Sequence, residues 1–208
     1  MICLADNDII YKLAACDLLD NALAALSLAR TDVYVLPTAK YKFRITPRSS
    51  AQGERRYGVE VFARIRDFLA SVRELNVPGL SEELQLLAGV YGIDSGEAVL
   101  FAATAEFDQY LLATGDKNSI RALASTSVCR SIAQRLCGHV ICFEQIVKRV
   151  MQYCGFSYVK DKVIPARACD TALRVAFGSG ADAIEVNVLA ILDSYINELR
   201  SLSIDLLA

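Results

Sequence analysis

The chain of 208 residues has one histidine, no CxxC pair and no glycine-rich phosphate loop. The seven cysteines, at 3, 16, 129, 137, 142, 154 and 169, form an odd and scattered set with only His139 to join them. That pattern argues against a zinc site and for small buried hydrophobes in a reducing cytosol. The absence of GxGxxG and GxxxxGK[ST] removes the signatures of the common dinucleotide- and nucleotide-binding α/β domains. No apolar run approaches the roughly 18 residues of a membrane-spanning helix, and Asp6 and Asp8 interrupt the N-terminus too early for a signal peptide. A soluble, cytoplasmic protein with no membrane association is expected. A formal net charge of −2 supplies no global field that would advertise a nucleic-acid partner.

What is present is apolar residue and locally concentrated charge. Hydrophobic residues make up 54% of the chain, above the roughly 45–50% of ordinary globular chains. A large core is expected, and at ~100–200 residues per domain the length suits one domain, or one with an appendage. Between positions 40 and 56, Lys40, Lys42, Arg44, Arg48, Arg55 and Arg56 are opposed only by Glu54, and Tyr41, Phe43 and Tyr57 interleave with them. Cations beside aromatic faces suit a phosphate backbone and unstacked bases, so these six are candidate nucleic-acid contacts. The ordinary alternative is a solvated loop.

Strands and helices alternate along the chain. An apolar strand ends at Ala5; helical residues run from 9 to 28 with an adjustment near Asp17; a strand at 33–36 is closed by Pro37. An amphipathic helix is predicted over 57–75, a break at 76–80 containing Pro78 and Gly79, and a short helix capped by Ser81. A helix opening at Glu97 leads to a strand at 110–114, which Gly115 breaks before a helix at 117–124. A helix at 127–136 with Gly138 as its C-cap, a strand at 140–143 and a helix to about 153 follow. Residues 155–167 read as a mixed connection turning at Lys160, Asp161 and Lys162, and helices are predicted at 169–177 and 183–202. This order predicts a three-layer α/β/α fold with a central, mostly parallel sheet over 1–155 and a helical extension over 156–208. The wide apolar face of the last helix requires cover, either by the core or by a second copy in a homodimer.

Two carboxylates follow apolar strands, Asp6 in LADND and Asp116 in LLATGDK, and ligands of open parallel sheets gather outside the strands' carboxyl ends. Glu97 opens the helix that feeds the second of these strands, in SGEAVLFAATA. These three segments, with HVICFEQI at 139–146, resemble PIN-domain nucleases in order and spacing over about residues 1–150. In that family an Asp ends the first strand, an acidic residue opens a later helix in a GEA-like motif, and an Asp follows the next strand in a T-x-D motif.

The resemblance implies a metal-dependent endoribonuclease. Asp6, Glu97 and Asp116 would hold Mg²⁺ or Mn²⁺, Asp8 is a further catalytic candidate, and Thr114 would orient a carboxylate or a water. A hard divalent cation held by two to four carboxylates activates a bound water and stabilises the charge that develops on a phosphodiester. The implied partners are RNA and, for a toxin or defence component of a bacterial pair, an antitoxin protein covering the site. The family's further acidic residue after the second strand is missing: the segment reads PTAKYKF, and Glu54, Glu60 and Glu83 are the open candidates to replace it. A noncatalytic PIN-like module holding RNA or protein is the alternative. Each acid also has an ordinary structural reading. Asp8 and Asp116 can cap the helices that follow them, and Asp94 with Glu97 has capping-box spacing. His139 and Lys117 read as structural and surface residues.

Overall fold

The computed structural model describes residues 1–76, 82–203 and 205–208. β1 (Ile2–Ala5) is followed by α1 (Asn7–Ala15), α2 (Leu19–Ala25) and β2 (Val33–Val35). The adjustment expected near Asp17 is the break between α1 and α2, where Asp17 takes a left-handed φ of 54°. Then come α3 (Ala39–Lys42), α4 (Ser50–Tyr57), α5 (Val59–Leu69) and β3 (Arg73–Glu74). After α6 (Glu82–Ala88), α7 (Ser95–Ala103) leads to β4 (Tyr110–Thr114), α8 (Lys117–Ser125), α9 (Arg130–Leu136), β5 (Val140–Cys142) and α10 (Phe143–Cys154). The chain closes with α11 (Phe156–Ala166), α12 (Thr171–Ala176) and α13 (Glu185–Leu202).

The strands form one sheet in the order β3-β2-β1-β4-β5, every neighbouring pair parallel. Because strand side chains alternate, each strand feeds two cores. Cys3, Ala5, Val33, Val35, Leu111, Ala113 and Ile141 face a layer built from α1, α2, α5 and α10. Leu4, Tyr110, Leu112, Val140 and Cys142 face the opposite layer, built from α7, α8 and α9. The architecture is therefore three-layer α/β/α. β1 and β4 pair side by side, with Ala5 opposite Ala113, so both strands end on the same edge.

Three segments depart from the sequence-based expectations. Residues 40–56 are not a solvated loop: α3 and α4 run through them, Phe43 is buried, and Arg44 ends α3 with a φ of 60°. Gly53 permits this packing, since a Cβ there would stand 2.3 Å from the Phe62 ring. The helix expected to reach 75 stops at Leu69, and Arg73–Glu74 pairs with β2 as an edge strand. Both of its side chains are exposed, so no alternation announced it. Residues 156–166 are helical rather than a turn, because Val159 and Val163, four positions apart, are both fully buried. The breaks and cap expected at Pro78, Gly79 and Ser81 lie outside the described residues.

The C-terminal helices share the cores of the sheet. Val159, Val163, Leu173, Phe177, Val188 and Leu192 belong to the cluster containing Cys3 and Ala5, whereas Ile196 and Leu199, further along α13, belong to the other. Thus α13 runs past the β5 edge and touches both layers, and its apolar face is covered by its own chain. The last residues finish the closure: Val140 N–H donates to the Leu206 carbonyl at 3.0 Å, and Ala208 N–H to the Val140 carbonyl at 2.7 Å. That protects a sheet edge that would otherwise expose unpaired backbone.

A single cooperative unit is expected from these shared cores. Leu192→Ala should cost ~2–5 kcal/mol, as for other buried Leu truncations. Urea unfolding followed by far-UV circular dichroism and by tyrosine fluorescence should give coincident transitions in both proteins; separate transitions would show that the C-terminal helices unfold on their own.

Candidate active site

The carboxyl edge of the sheet carries the acids. Asp6 directly follows β1, and its N–H donates to the Ala113 carbonyl at 3.0 Å, extending the ladder with β4 by one step. Its side chain caps α1, accepting from Asn7 N–H at 2.7 Å and from Asp8 N–H at 3.4 Å. Asp116 follows β4 after Gly115 and caps α8, its Oδ1 accepting from Asn118 N–H at 2.7 Å and Ser119 N–H at 3.3 Å. Thr114 Oγ1 accepts from Asp116 N–H at 3.2 Å, so this threonine orients the backbone of Asp116. Asp94 and Glu97 form a reciprocal capping box at the start of α7, both bonds 2.8 Å.

These caps all face one open cleft of about 730 Å³, lined by Asp6, Asp8, Asp94, Glu97 and Asp116 together with basic and aromatic side chains. The N-terminus of α7 therefore does reach the edge where β1 and β4 end. Gly96 allows it, since a Cβ there would lie 3.0 Å from Leu36. Asp94, read from sequence as a cap alone, is the additional carboxylate at this edge. Its signal was its place three residues before Glu97. Among the replacements considered for the missing acid, Glu83 pairs with Arg135 at 2.7 Å, Glu60 with Arg64 at 3.5 Å, and Glu54 is exposed. None of the three lines the cleft.

Crowding leaves an electrostatic mark. Burial pushes the Glu97 carboxyl up to about 7, with Asp116 and Asp94 adding repulsion against the bonds from Asp94 N–H and the Ser119 hydroxyl. Asp6 is pushed up to about 6, again by burial first and then by Asp8 and Asp94, while the Asn7 and Asp8 N–H groups oppose the shift. A cation in the cleft would reverse both shifts by favouring the ionised forms. Among the described residues, no group of three or more His, Cys, Asp or Glu side chains converges as a metal-holding set. A Mg²⁺-type ion needs fewer, being commonly held by one or two carboxylates, waters and substrate phosphates. Two mutually repelling carboxylates with hard oxygen donors, in an open cleft, fit that requirement.

Asp8 has a different partner. Lys12, one turn along α1, is 2.6 Å from Asp8 and 2.8 Å from Asp170. Burial draws the Lys12 ammonium down, but the two carboxylates hold it above its ordinary value. Asp8 thus shares the Lys12 ammonium with Asp170, and Asp170 of the C-terminal region becomes part of the cleft wall. Gly115 makes room for this pair: a Cβ would stand 2.1 Å from Asp8 Oδ2 and 3.2 Å from Lys12 Nζ.

The basic candidates separate. Lys42 and Arg56 line the cleft, and the Arg56 guanidinium lies 5.3 Å from the centre of the Tyr57 ring. Lys40 turns to Glu74 at 3.1 Å and Arg44 bonds Gln52, while Arg48 and Arg55 are exposed away from the cleft. Lys117 and Arg121, one turn apart on α8, line it instead. Lys117, expected as a surface residue, is ion-paired with the fully buried Glu144 and sits 4.4 Å from the centre of the Tyr195 ring. The pairing depends on α10 and α13, which no local pattern around Lys117 reveals. His139 keeps a structural place, stacked on Tyr110 with its Nδ1 3.1 Å from the Tyr110 carbonyl oxygen.

Comparison with protein-family models, curated proteins and solved structures finds no match for this chain. The tight fit at Gly115 gives a direct check of the Asp8–Lys12 arrangement. Gly115→Ala should destabilise the protein by ~1–3 kcal/mol, the usual cost of overpacking. Adding Asp8→Ala should recover most of that loss in urea unfolding, because the clashing carboxylate is gone. Additive losses would place the strain elsewhere.

Proposed function

We propose that this chain is a metal-assisted endoribonuclease of PIN type. The observation that carries the reading is the convergence of Asp6, Glu97, Asp116 and Asp94 on one cleft at the carboxyl edge of the sheet, with the pKa values of Asp6 and Glu97 raised and cations at the rim. Asp6, Glu97 and Asp116 are the candidate ligands; two of them, with waters and a substrate phosphate, would hold Mg²⁺ or Mn²⁺, which would supply an activated water and neutralise charge on the scissile phosphate. Lys42, Arg56 and Lys117 bind and orient the polyanion, Arg121 being paired with Glu198 at 2.9 Å, and Tyr11 and Tyr57 offer faces on which unpaired bases stack. Lys117 is positioned in advance by Glu144, which spares ordering on substrate arrival. The rim cations also suit an acidic protein segment such as an antitoxin that would cover the cleft.

A noncatalytic RNA-binding module is the second reading, favoured by the cap hydrogen bonds that already occupy Asp6, Glu97 and Asp116. Cleavage of a mixed single-stranded RNA pool in Mn²⁺ or Mg²⁺ separates the two. Asp6→Asn and Asp116→Asn should each lower the rate about 100-fold or more with an unchanged far-UV circular dichroism spectrum, the scale expected when several kcal/mol of charge stabilisation is lost. Lys42→Ala combined with Arg56→Ala should weaken RNA binding and reduce its salt slope by roughly 1–2. Binding without cleavage by the wild type, in either metal, would favour the module.

The raised carboxyls also tie metal to pH. Glu97 moves from 4.5 to about 7 and Asp6 from 3.8 to about 6, so the folded state holds these protons more tightly than the unfolded chain. Their contribution to stability is complete below the ordinary values and is lost as pH rises through about 6 to 7. The metal-free protein should therefore have a lower Tm near pH 8 than near pH 5 on account of these groups. Mg²⁺ should raise Tm near pH 8 and have little effect near pH 5. Glu97→Gln should flatten the dependence; an equal metal response at both pH values would contradict the assignment.

A further inference from the structure

Lys12 is enclosed at the edge of the acidic cleft. Its ammonium lies 2.6 Å from Asp8 Oδ2, one turn back on α1, and 2.8 Å from Asp170 Oδ2. It also lies 5.4 Å from the centre of the Phe143 ring, the first residue of α10. The chain before Asp116 passes so near that a Cβ at Gly115 would stand 3.2 Å from Nζ. Asp170 is fixed in turn, its Oδ1 accepting from Leu173 N–H at 3.1 Å as the cap of α12. The Lys12 and Asp170 side chains are each only 11% exposed, so little water competes for their contact. Asp8, at 41%, reaches the solvent of the cleft.

Asp8 and Asp170 line the same cleft as Asp6, Glu97 and Asp116. Without Lys12 the edge would present two sets of carboxylates, the arrangement used by hydrolytic sites that hold two divalent ions about 3.5–4 Å apart. The ammonium prevents the second set from acting so. A Mg²⁺ ion bridging Asp8 and Asp170 would take their oxygens at about 2.0–2.1 Å, and it would need the space that Nζ fills between the same two oxygens. Two cations in that space would also repel each other at contact distance. Displacing the ammonium without replacing its charge would leave two carboxylates unpaired, one of them largely buried, which is the costly way to break an ion pair.

We propose that the Lys12 ammonium is a built-in second cation of the cleft: it fills the position between Asp8 and Asp170, so the cleft takes one divalent ion, and its removal opens a second divalent-ion site. The count of one rests on the nuclease reading of Asp6, Glu97 and Asp116, whereas the competition for Asp8 and Asp170 does not. Lys12 is a positioning residue here, holding a fixed charge beside the acids whatever the metal supply. A second divalent ion would come and go with its concentration. Occupancy of the wild-type cleft should therefore follow a one-site curve.

The test counts ions on the full, metal-stripped chain, using the paramagnetic resonance signal of free Mn²⁺ during titration, with Tm measured alongside. Wild type should bind one Mn²⁺, lost in Asp6→Asn, and Asp170→Asn should leave the count at one. Lys12→Met should bind two, the second lost when Asp170→Asn is added, and Mn²⁺ should raise its Tm more than it raises that of wild type. A salt bridge with a structural role alone would give a lower Tm in Lys12→Met and no added ion. Folding of Lys12→Met only in Mn²⁺ would show the ion replacing the ammonium, as proposed. The proposal is overturned if wild type binds two ions and Asp170→Asn removes one, or if Lys12→Met binds no more ions than wild type. No ion in the wild-type cleft, with one gained in Lys12→Met, would overturn the metal assignment of the nuclease reading while supporting the exchange at Asp8 and Asp170.

Discussion

The gathering of partly buried carboxyls at one sheet edge is the constraint around which this molecule is arranged. Asp6, Asp94, Glu97 and Asp116 face a common cleft, where burial raises the Asp6 and Glu97 carboxyls and repulsion from neighbouring acids adds to it. Helix N-termini make the arrangement tolerable, since each acid accepts backbone N–H groups that would otherwise be orphaned and lies at the favourable end of a helix dipole. The caps oppose the upward shifts of Asp6 and Glu97 without abolishing them. What is left is a preference of Asp6 and Glu97 for the neutral form or for a nearby positive charge. Asp8 shows the contrast: with Lys12 beside it, its charge is answered within the protein.

The parallel sheet makes that edge possible. Pairing β1 directly with β4 brings residues distant in sequence to the same boundary, and the helices that follow each strand begin there. The helix before β4 ends shortly before that strand begins, so its N-terminus lies at the opposite, carboxyl edge of the sheet. Small residues allow the crowding: Gly96 admits Leu36, and Gly115 admits Asp8 and Lys12. These glycines have negative φ or ordinary backbone, so their role is close approach rather than an unusual turn.

The C-terminal helices belong to the same structural problem. α13 touches both layers, Asp170 holds Lys12, and Tyr195 covers Lys117. Asp170, which holds Lys12, and Tyr195, which faces Lys117, come from the region that looked like an appendage, whereas Glu144, the acid on Lys117, comes from α10.

The sequence by itself determined the strand–helix alternation, the positions of Asp6 and Asp116 after strands, and the capping box at Asp94 and Glu97, because periodicity and capping are local interactions between residues a few positions apart. It did not reveal β3, whose two exposed side chains carry no alternation, or α11, whose helical character rests on Val159 and Val163 meeting a distant core. Nor did it separate Lys42 and Arg56 from the other basic residues, because which cations face the cleft follows from how α3 and α4 fold back over Phe62. Only the tertiary structure decided that Asp94 joins the acids, that Asp8 and Asp170 share Lys12, and that Asp170, Glu144 and Tyr195 complete the surroundings. Each of those facts is a contact between residues far apart in the chain, set by sheet order and layer packing, and no local pattern encodes it.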